Sequence, residues 1–231
     1  MIPVVQVVGV DGCRGGWLAV VLDGDLPTAQ VSKFTQFAEI LDVYPDAAAI
    51  AVDMPIGLWS SGRARVRPCD AQARRLLGKH ASSVFIPPTR AMLDADSYDR
   101  PREQGLSVQA YHLIPRIREL DALMTPDLQT RVWESHPELS FMAITSAPIE
   151  HPKRTAQGQL ARIEALQHAL NLDFETLNAL WQACPPAVRR HDLLDACALA
   201  WSAQRHTLGQ SDCCLGEPTL DERGLLMAIR F

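Results

Sequence analysis

Apolar residues form several short, nearly continuous runs, and each run predicts a buried β-strand. The runs at 4–11, 16–22 and 48–53 are rich in aliphatic residues and are bounded by glycine, proline or acidic positions, which is typical of strands in a sheet core. Residues 28–33 and about 130–134 have the same character. The glycine-rich connector between the first two runs is short enough for a hairpin turn. The pattern therefore predicts a sheet built from five strands.

Elsewhere, apolar positions recur every three or four residues, and this spacing predicts helices. We expect helices at 34–44, 69–77, 107–124, 157–170 and 173–181, a short one opened by Pro137, and a long one over RRHDLLDACALAWSAQRH, 189–206. The tail is expected to form a hairpin around 221–224. No internal repeat or long linker divides the chain. We therefore predict a single domain over residues 1–231, with a helical insertion at about 60–128.

Acidic residues stand where three of the predicted strands end, at Asp11, Asp53 and Glu134, and the late helix begins with Asp192 and Asp195. Side chains at the carboxyl ends of parallel strands meet at one edge of a sheet. Clustered carboxylates raise one another's pKa values, and Mg²⁺ or Mn²⁺ removes this repulsion because both prefer oxygen ligands. A pair of such ions is a clamp for phosphodiester hydrolysis. We predict that all five acids are catalytic and that Asp11, Asp53, Glu134 and Asp195 are metal ligands.

Structural interpretations of these acids stay open. Asp11 could shape the glycine-rich turn, Asp53 could cap its strand, and Asp192 is a good N-cap for its helix. Which of Glu134 and Glu138 faces the site is also open.

Charge and cysteine content narrow the class of protein. The net charge is −5, which argues against non-specific coating of nucleic acid. Residues 60–80 nevertheless hold six basic residues and one aspartate, a local charge of +5 that fits a bound polyanion. Six cysteines without a CxxC pair indicate reduced thiols. Without a long apolar run or a leader-like N-terminus, the expectation is a cytoplasmic protein with no membrane association.

Seven motifs carry a resemblance to a known family. GVDGCRGGW, AVDMPIGL, RPCDAQARRLLG, SSVFIPP, WESHPELSF, KRTAQGQLARI and HDLLDACALAW occur in the same order in a bacterial and archaeal family of uncharacterised proteins, described as predicted nucleases with a ribonuclease H-like fold. The resemblance covers nearly the whole chain. It implies an α/β domain with a five-stranded mixed sheet in the order 3-2-1-4-5, helices on both faces and a helical insertion.

The resemblance also carries site residues over by position. The first-strand aspartate of ribonuclease H-like enzymes matches Asp11, and the acid of the fourth strand matches Asp53. The late-helix acids of resolvase-like members resemble Asp192 and Asp195, whereas Glu134 has no clean counterpart. Other family-type polar residues are Arg14, Arg67, Asp70, Arg74, Lys153 and Arg162. We interpret the four arginines and Lys153 as contacts to substrate phosphates.

These observations predict a divalent-metal-dependent nuclease with Mg²⁺ or Mn²⁺ as cofactor and a nucleic acid as partner; a homodimer stays open. One alternative is a phosphotransferase or ATPase of the actin and sugar-kinase type. That class needs a glycine-rich nucleotide loop near the late helix, and HDLLDACALAW contains no glycine. The other alternative is a binding module that no longer turns over, which the net negative charge favours.

Overall fold

A five-stranded sheet organises the computed structural model, which describes residues 5–23 and 28–231. The strands are β1 (Val7–Cys13), β2 (Gly16–Asp23), β3 (Thr28–Phe34), β4 (Ala49–Val52) and β5 (Val132–Glu134), in the order β3-β2-β1-β4-β5. Strands β1, β2 and β3 form an antiparallel meander, and β4 runs parallel to β1. This confirms the predicted five-stranded mixed sheet with the order 3-2-1-4-5. Residue 4 of the first predicted strand lies outside the described residues.

Eight helices are present in the described part of the chain: α1 (Phe37–Val43), α2 (Pro68–Leu77), α3 (Asp99–Glu103), α4 (Val108–Leu123), α5 (Pro137–Thr145), α6 (Ala156–Leu170), α7 (Phe174–Ala183) and α8 (Arg190–Thr207). Seven of them match the predicted helices. None of the described helices is long and apolar enough to cross a membrane.

Helix α1 begins later than the spacing predicts. The Glu39 carboxylate accepts hydrogen bonds from the backbone N–H groups of Thr35 and Gln36 and from the Thr35 hydroxyl. These bonds end the preceding strand segment and start the helix at Phe37. Local capping, which apolar spacing does not report, therefore sets this boundary.

Several short elements were not predicted. They are α3, three 3₁₀ turns at 78–83, 90–92 and 128–130, and a two-stranded sheet of β6 (Cys213–Cys214) and β7 (Ile229–Arg230). The hairpin predicted around 221–224 is confirmed, because Leu220 and Leu226 form an antiparallel bridge.

The chain divides into two compact units. The first comprises Met1–Asp53, Ser135–Asp212 and Arg230–Phe231, and the second comprises Met54–Glu134 and Cys213–Ile229. The predicted insertion at about 60–128 falls within the second unit. The single-domain organisation stays a prediction.

Helix α8 packs directly on the backbone of β1 in the first unit. A Cβ atom at Gly9 would lie 2.1 Å from the Ala200 nitrogen and 2.2 Å from the Ala196 oxygen. Only glycine allows this approach, because any side chain would collide with helix backbone. Residues 191–200 are all buried, so the N-terminal half of α8 is an interior element. This packing brings the acids of α8 close to the end of β1.

Candidate active site

Asp11 and Asp53 occupy neighbouring positions on parallel strands. Val10 and Val52 are partners in the β1–β4 register, and the Asp53 N–H donates to the Val10 carbonyl at 3.0 Å. The two aspartates therefore follow the same register step, and their carboxyl groups are hydrogen-bonded to each other. The prediction that these strand-end acids share one edge agrees with this geometry.

Asp195 lies one turn inside α8, and its side chain is fully buried. Its Oδ2 atom is 2.5 Å from the Lys153 Nζ atom. Its Oδ1 atom has no hydrogen-bond partner in the described part of the chain. Burial raises the pKa of Asp195 to about 6 even though Lys153 acts to lower it, and the charges of Asp53 and Glu138 add to the rise. We refer to Asp11, Asp53, Asp195 and Lys153 as the acidic centre.

The pKa of Asp11 is shifted by its buried and acidic surroundings. Burial raises its pKa well above the ordinary value, and the charges of Asp195 and Asp53 raise it further. Burial also raises the pKa of Asp53, whereas the charges of His136 and Lys153 and the hydrogen bond with Asp11 act to lower it. Three buried carboxyl groups thus act on one ammonium group, that of Lys153.

The donors of the acidic centre suit a hard divalent cation in chemistry, since all are carboxylate oxygens and one of them, Asp195 Oδ1, is buried without a partner among the described residues. Within residues 5–23 and 28–231, no group of three or more histidine, cysteine or acidic side chains is spaced to hold a metal ion.

Asp192 is the N3 residue of α8 and not the N-cap that the sequence suggested; the N-cap is Arg189. Its Oδ2 atom accepts a hydrogen bond from the Arg189 backbone N–H at 2.9 Å, and its Oδ1 atom lies 3.3 Å from His191 Nε2. Its charge still contributes to the raised pKa of Asp11. Burial lowers the pKa of His191, as do the nearby charges of Lys153, Arg154 and Arg189. Cationic side chains therefore gather at the start of α8.

Two predicted residues form an internal pair. Arg162 is 1% exposed, and its Nη2 atom donates to both carboxylate oxygens of Glu138 at 2.7 and 2.8 Å. This burial corrects the predicted contact of Arg162 with substrate phosphate. The sequence did not decide whether Glu134 or Glu138 faces the site. The charge of Glu138 acts to raise the pKa values of Asp53 and Asp195.

Comparison with known proteins places the chain in a family. The family model described as "Protein of unknown function (DUF429)" matches residues 9–220. The chain belongs to this family. No curated protein matches it.

Two solved structures of a Thermus thermophilus protein are similar. RuvC in complex with Holliday junction substrate has 14% identity and a TM-score of 0.37, and a second RuvC structure has 14% identity and a TM-score of 0.34. Each alignment covers 89% of this chain and 97% of that one. Similarity at this level leaves the function of the DUF429 chain to be decided from its own site.

Glu134 and Arg67 have structural surroundings in the second unit. The two Arg67 Nη atoms bind the two Glu134 carboxylate oxygens at 2.6 and 2.8 Å, and Asp70 binds the same guanidinium group at 2.6 Å. Glu134 also accepts from the Ile56 N–H at 2.8 Å. Arg67 is 1% exposed. We therefore assign Glu134 and Arg67 to an internal ion-pair network, in place of the predicted metal-ligand and phosphate-binding roles.

The remaining predicted phosphate-binding residues differ in exposure. Arg14 is exposed in the turn between β1 and β2. Arg74 is half-buried, and its guanidinium group donates to the Val84 carbonyl at 3.0 Å. Sequence reasoning missed Arg154 and Arg189, whose charges act on His191 near the start of α8. Their signal was present in the sequence, because Arg154 directly follows Lys153 and Arg189 stands three residues before Asp192.

Proposed function

We propose that the protein is a nuclease that uses Mg²⁺ or Mn²⁺ to hydrolyse phosphodiester bonds of a nucleic acid. The observation that carries the proposal is the acidic centre, where three carboxyl groups from β1, the end of β4 and α8 are balanced by one ammonium group. Negative charge in excess, on oxygen donors with little water, attracts a divalent cation strongly.

Asp11, Asp53 and Asp195 would hold the ion. When bound, such an ion lowers the pKa of a water ligand and stabilises the leaving oxygen of the phosphodiester. For the residues themselves, the requirement is that Asp11 is ionised, because a carboxylate ligates and a carboxylic acid does not; the raised pKa of Asp11 opposes this. Glu138 keeps Arg162 beneath the site and adds negative charge to it.

The basic side chains at the start of α8 support a polyanionic substrate. Arg154 and Arg189 are exposed, and both act electrostatically on His191 together with Lys153. Phosphate groups bind where cationic side chains and the N-terminus of a helix come together. A nucleic-acid partner and a cytoplasmic location are parts of this proposal.

Cleavage assays with single strands, duplexes and branched junctions test the proposal. We expect cleavage that requires Mg²⁺ or Mn²⁺ and that Asp11→Asn or Asp53→Asn lowers by about 100-fold or more, the scale seen when a group that stabilises transition-state charge is removed. Asp42→Asn is the matched control, since Asp42 is an exposed aspartate of α1 and its loss should leave the rate unchanged.

Thermal unfolding separates binding from catalysis. Millimolar Mn²⁺ should raise the Tm of the wild type, since an ion that binds only the folded state stabilises it, and Asp11→Asn should weaken this gain. An equal gain in both proteins would count against Asp11 as a ligand. A gain without cleavage of any polynucleotide would favour the alternative of a binding module without turnover.

A further inference from the structure

Lys153 projects from a loop whose backbone is firmly held. Beneath the loop, the buried Arg162 donates from Nη1 to the His151 carbonyl at 3.1 Å and to the Gly158 carbonyl at 2.9 Å. Gly158 is in close contact with the loop, because a Cβ atom there would lie 2.0 Å from the Pro152 oxygen. Thr155 Oγ1 caps α6 by accepting from the Gly158 N–H. The loop base is therefore fixed, and movement at this point is left to the Lys153 side chain.

The Lys153 ammonium lies where the charges of three carboxyl groups act on it. It lies 2.5 Å from Asp195 Oδ2, and the charges of Asp195, Asp11 and Asp53 outweigh the effect of burial and raise its pKa. The Lys153 side chain is 35% exposed, whereas that of Asp195 is fully buried. The chain thus reaches inward from the surface to neutralise a carboxylate that has no other hydrogen-bonding partner among the described residues.

We propose that the Lys153 ammonium is an internal competitor for the divalent cation, which must displace it from Asp195 to bind. A divalent cation on Asp195 Oδ1 would lie across the same carboxylate from the ammonium on Oδ2, and two cations so close together in a buried site repel each other strongly. The exchange replaces one positive charge by two and leaves all covalent bonds of the protein unchanged. The displaced ammonium, on a flexible and partly exposed stem, becomes available to a substrate phosphate. This inference rests on the proposed function.

Isothermal titration calorimetry with Mn²⁺ tests the competition directly. Lys153→Met keeps the length and apolar character of the stem and removes the ammonium, so it should bind Mn²⁺ at least about tenfold more tightly than the wild type. Arg154→Met is the matched control, because Arg154 is the exposed neighbour on the same loop. Its affinity should stay within about twofold of the wild type, since it removes charge near the site without vacating Asp195.

The outcomes separate this inference from the proposed function. If Lys153→Met binds Mn²⁺ no more tightly than the wild type, while Asp11→Asn abolishes binding, the competition is wrong and the metal site stands. If Arg154→Met gains as much Mn²⁺ affinity as Lys153→Met, the gain comes from the loss of any nearby positive charge, and the proposed competition is again wrong. If none of the proteins binds Mn²⁺, the proposed function and the inference both fail.

The wild type provides a second measurement that needs no variant. The chain has three lysines, Lys33, Lys79 and Lys153, so amine labelling can be followed at each by mass spectrometry. Saturating Mn²⁺ should increase labelling of Lys153 several-fold, because release from Asp195 exposes the amine. Labelling of Lys79, which is exposed in the second unit, should not change. Unchanged labelling of Lys153 at saturation would overturn the proposal.

Discussion

Buried charge is compensated in different ways in the two units. In the second unit, every carboxylate oxygen of Asp70 and Glu134 accepts a hydrogen bond, and Arg67 supplies most of them. In the acidic centre of the first unit, three carboxyl groups share one ammonium, and Asp195 Oδ1 is unpartnered in the described structure.

The difference indicates two uses of the same residue types. A buried ion pair with all of its hydrogen bonds made costs little to keep and much to break. A buried acid without full compensation is held against a free-energy cost that its fold must offset, and perturbed acids of this kind gather at functional sites. We therefore expect substitutions in the Arg67 network to affect stability and those in the acidic centre to affect ion binding.

The largest expected effect is that of Arg67→Met. Removal of the guanidinium leaves Asp70 and Glu134 buried and unpaired, and loss of one partner of a buried pair costs about 3–5 kcal/mol. Urea unfolding monitored by circular dichroism measures it. Asp11→Asn in the acidic centre should change the free energy of unfolding by less than about 1 kcal/mol, or raise it, because it relieves like-charge repulsion.

Arg63→Met is the control for Arg67→Met, since Arg63 is exposed in the same segment, and surface changes of this kind stay within about 0.5 kcal/mol. If Asp11→Asn destabilised the protein as strongly as Arg67→Met, the proposed difference between the acidic centre and the Arg67 network would be wrong.

A smaller effect is expected when the pH is changed, because the pH dependence of stability should have opposite signs for an acid in each of the two units. Burial acts to raise the pKa of Asp221 in the second unit, but hydrogen bonds from Arg90 and from backbone N–H groups lower it overall. An acid with a lowered folded pKa contributes stability above its unfolded value, and this is lost as the pH falls through the folded pKa. Asp195, with its pKa raised to about 6, contributes stability below about 3.8 that is lost as the pH rises through 6.

Unfolding free energies between pH 3 and 7, measured with a chelator present, test these signs. The stability deficit of Asp221→Asn relative to the wild type should shrink as the pH falls below about 4. The unfolding free energy of Asp195→Asn should rise relative to that of the wild type as the pH increases from 4 to 7. Parallel curves for the wild type and Asp195→Asn would mean that the Asp195 carboxyl is not perturbed by its surroundings.

The sequence was sufficient to predict the sheet and the longer helices because their signal is repeated along several turns or residues. The strands β6 and β7 have two residues each, too few for any period, and α3 has five. Strand-end positions similarly located Asp11 and Asp53, because the direction of parallel strands determines where their last residues lie.

The burial of Arg67 and Arg162 could not be predicted from the sequence. Arg67 pairs with Glu134 across 67 positions of the chain and Arg162 with Glu138 across 24, and a basic residue gives no sign of a distant carboxylate partner. Both looked like phosphate-binding residues for this reason. The Lys153–Asp195 ion pair, 42 positions apart, was hidden in the same way.

The smallest effect on stability is expected from substitutions at Arg63 and Arg65 in the basic segment 60–80. These substitutions also test whether exposure separates the arginines that bind a polyanion from those that stabilise the fold. Both are exposed, and the Arg65 guanidinium lies 4.1 Å from the centre of the Trp59 ring, a surface interaction worth about 0.5–1 kcal/mol. The double variant Arg63→Ala with Arg65→Ala should therefore stay nearly as stable as the wild type. For each phosphate group that it no longer binds, the slope of log affinity against log salt should fall by about 0.7–0.9.

Fluorescence anisotropy with a labelled oligonucleotide over a range of salt concentrations measures that slope, and Lys33→Ala, outside the segment, should leave it unchanged. A flatter slope in the double variant, together with a lower stability of Arg67→Met, would mean that the basic segment has two roles. Its buried arginine stabilises the second unit, and its exposed arginines bind a polyanion. If the slope does not change, the local charge of +5 at residues 60–80 contributes to the second unit through Arg67 alone, and the nuclease proposal must rest on the acidic centre and on the cations at the start of α8.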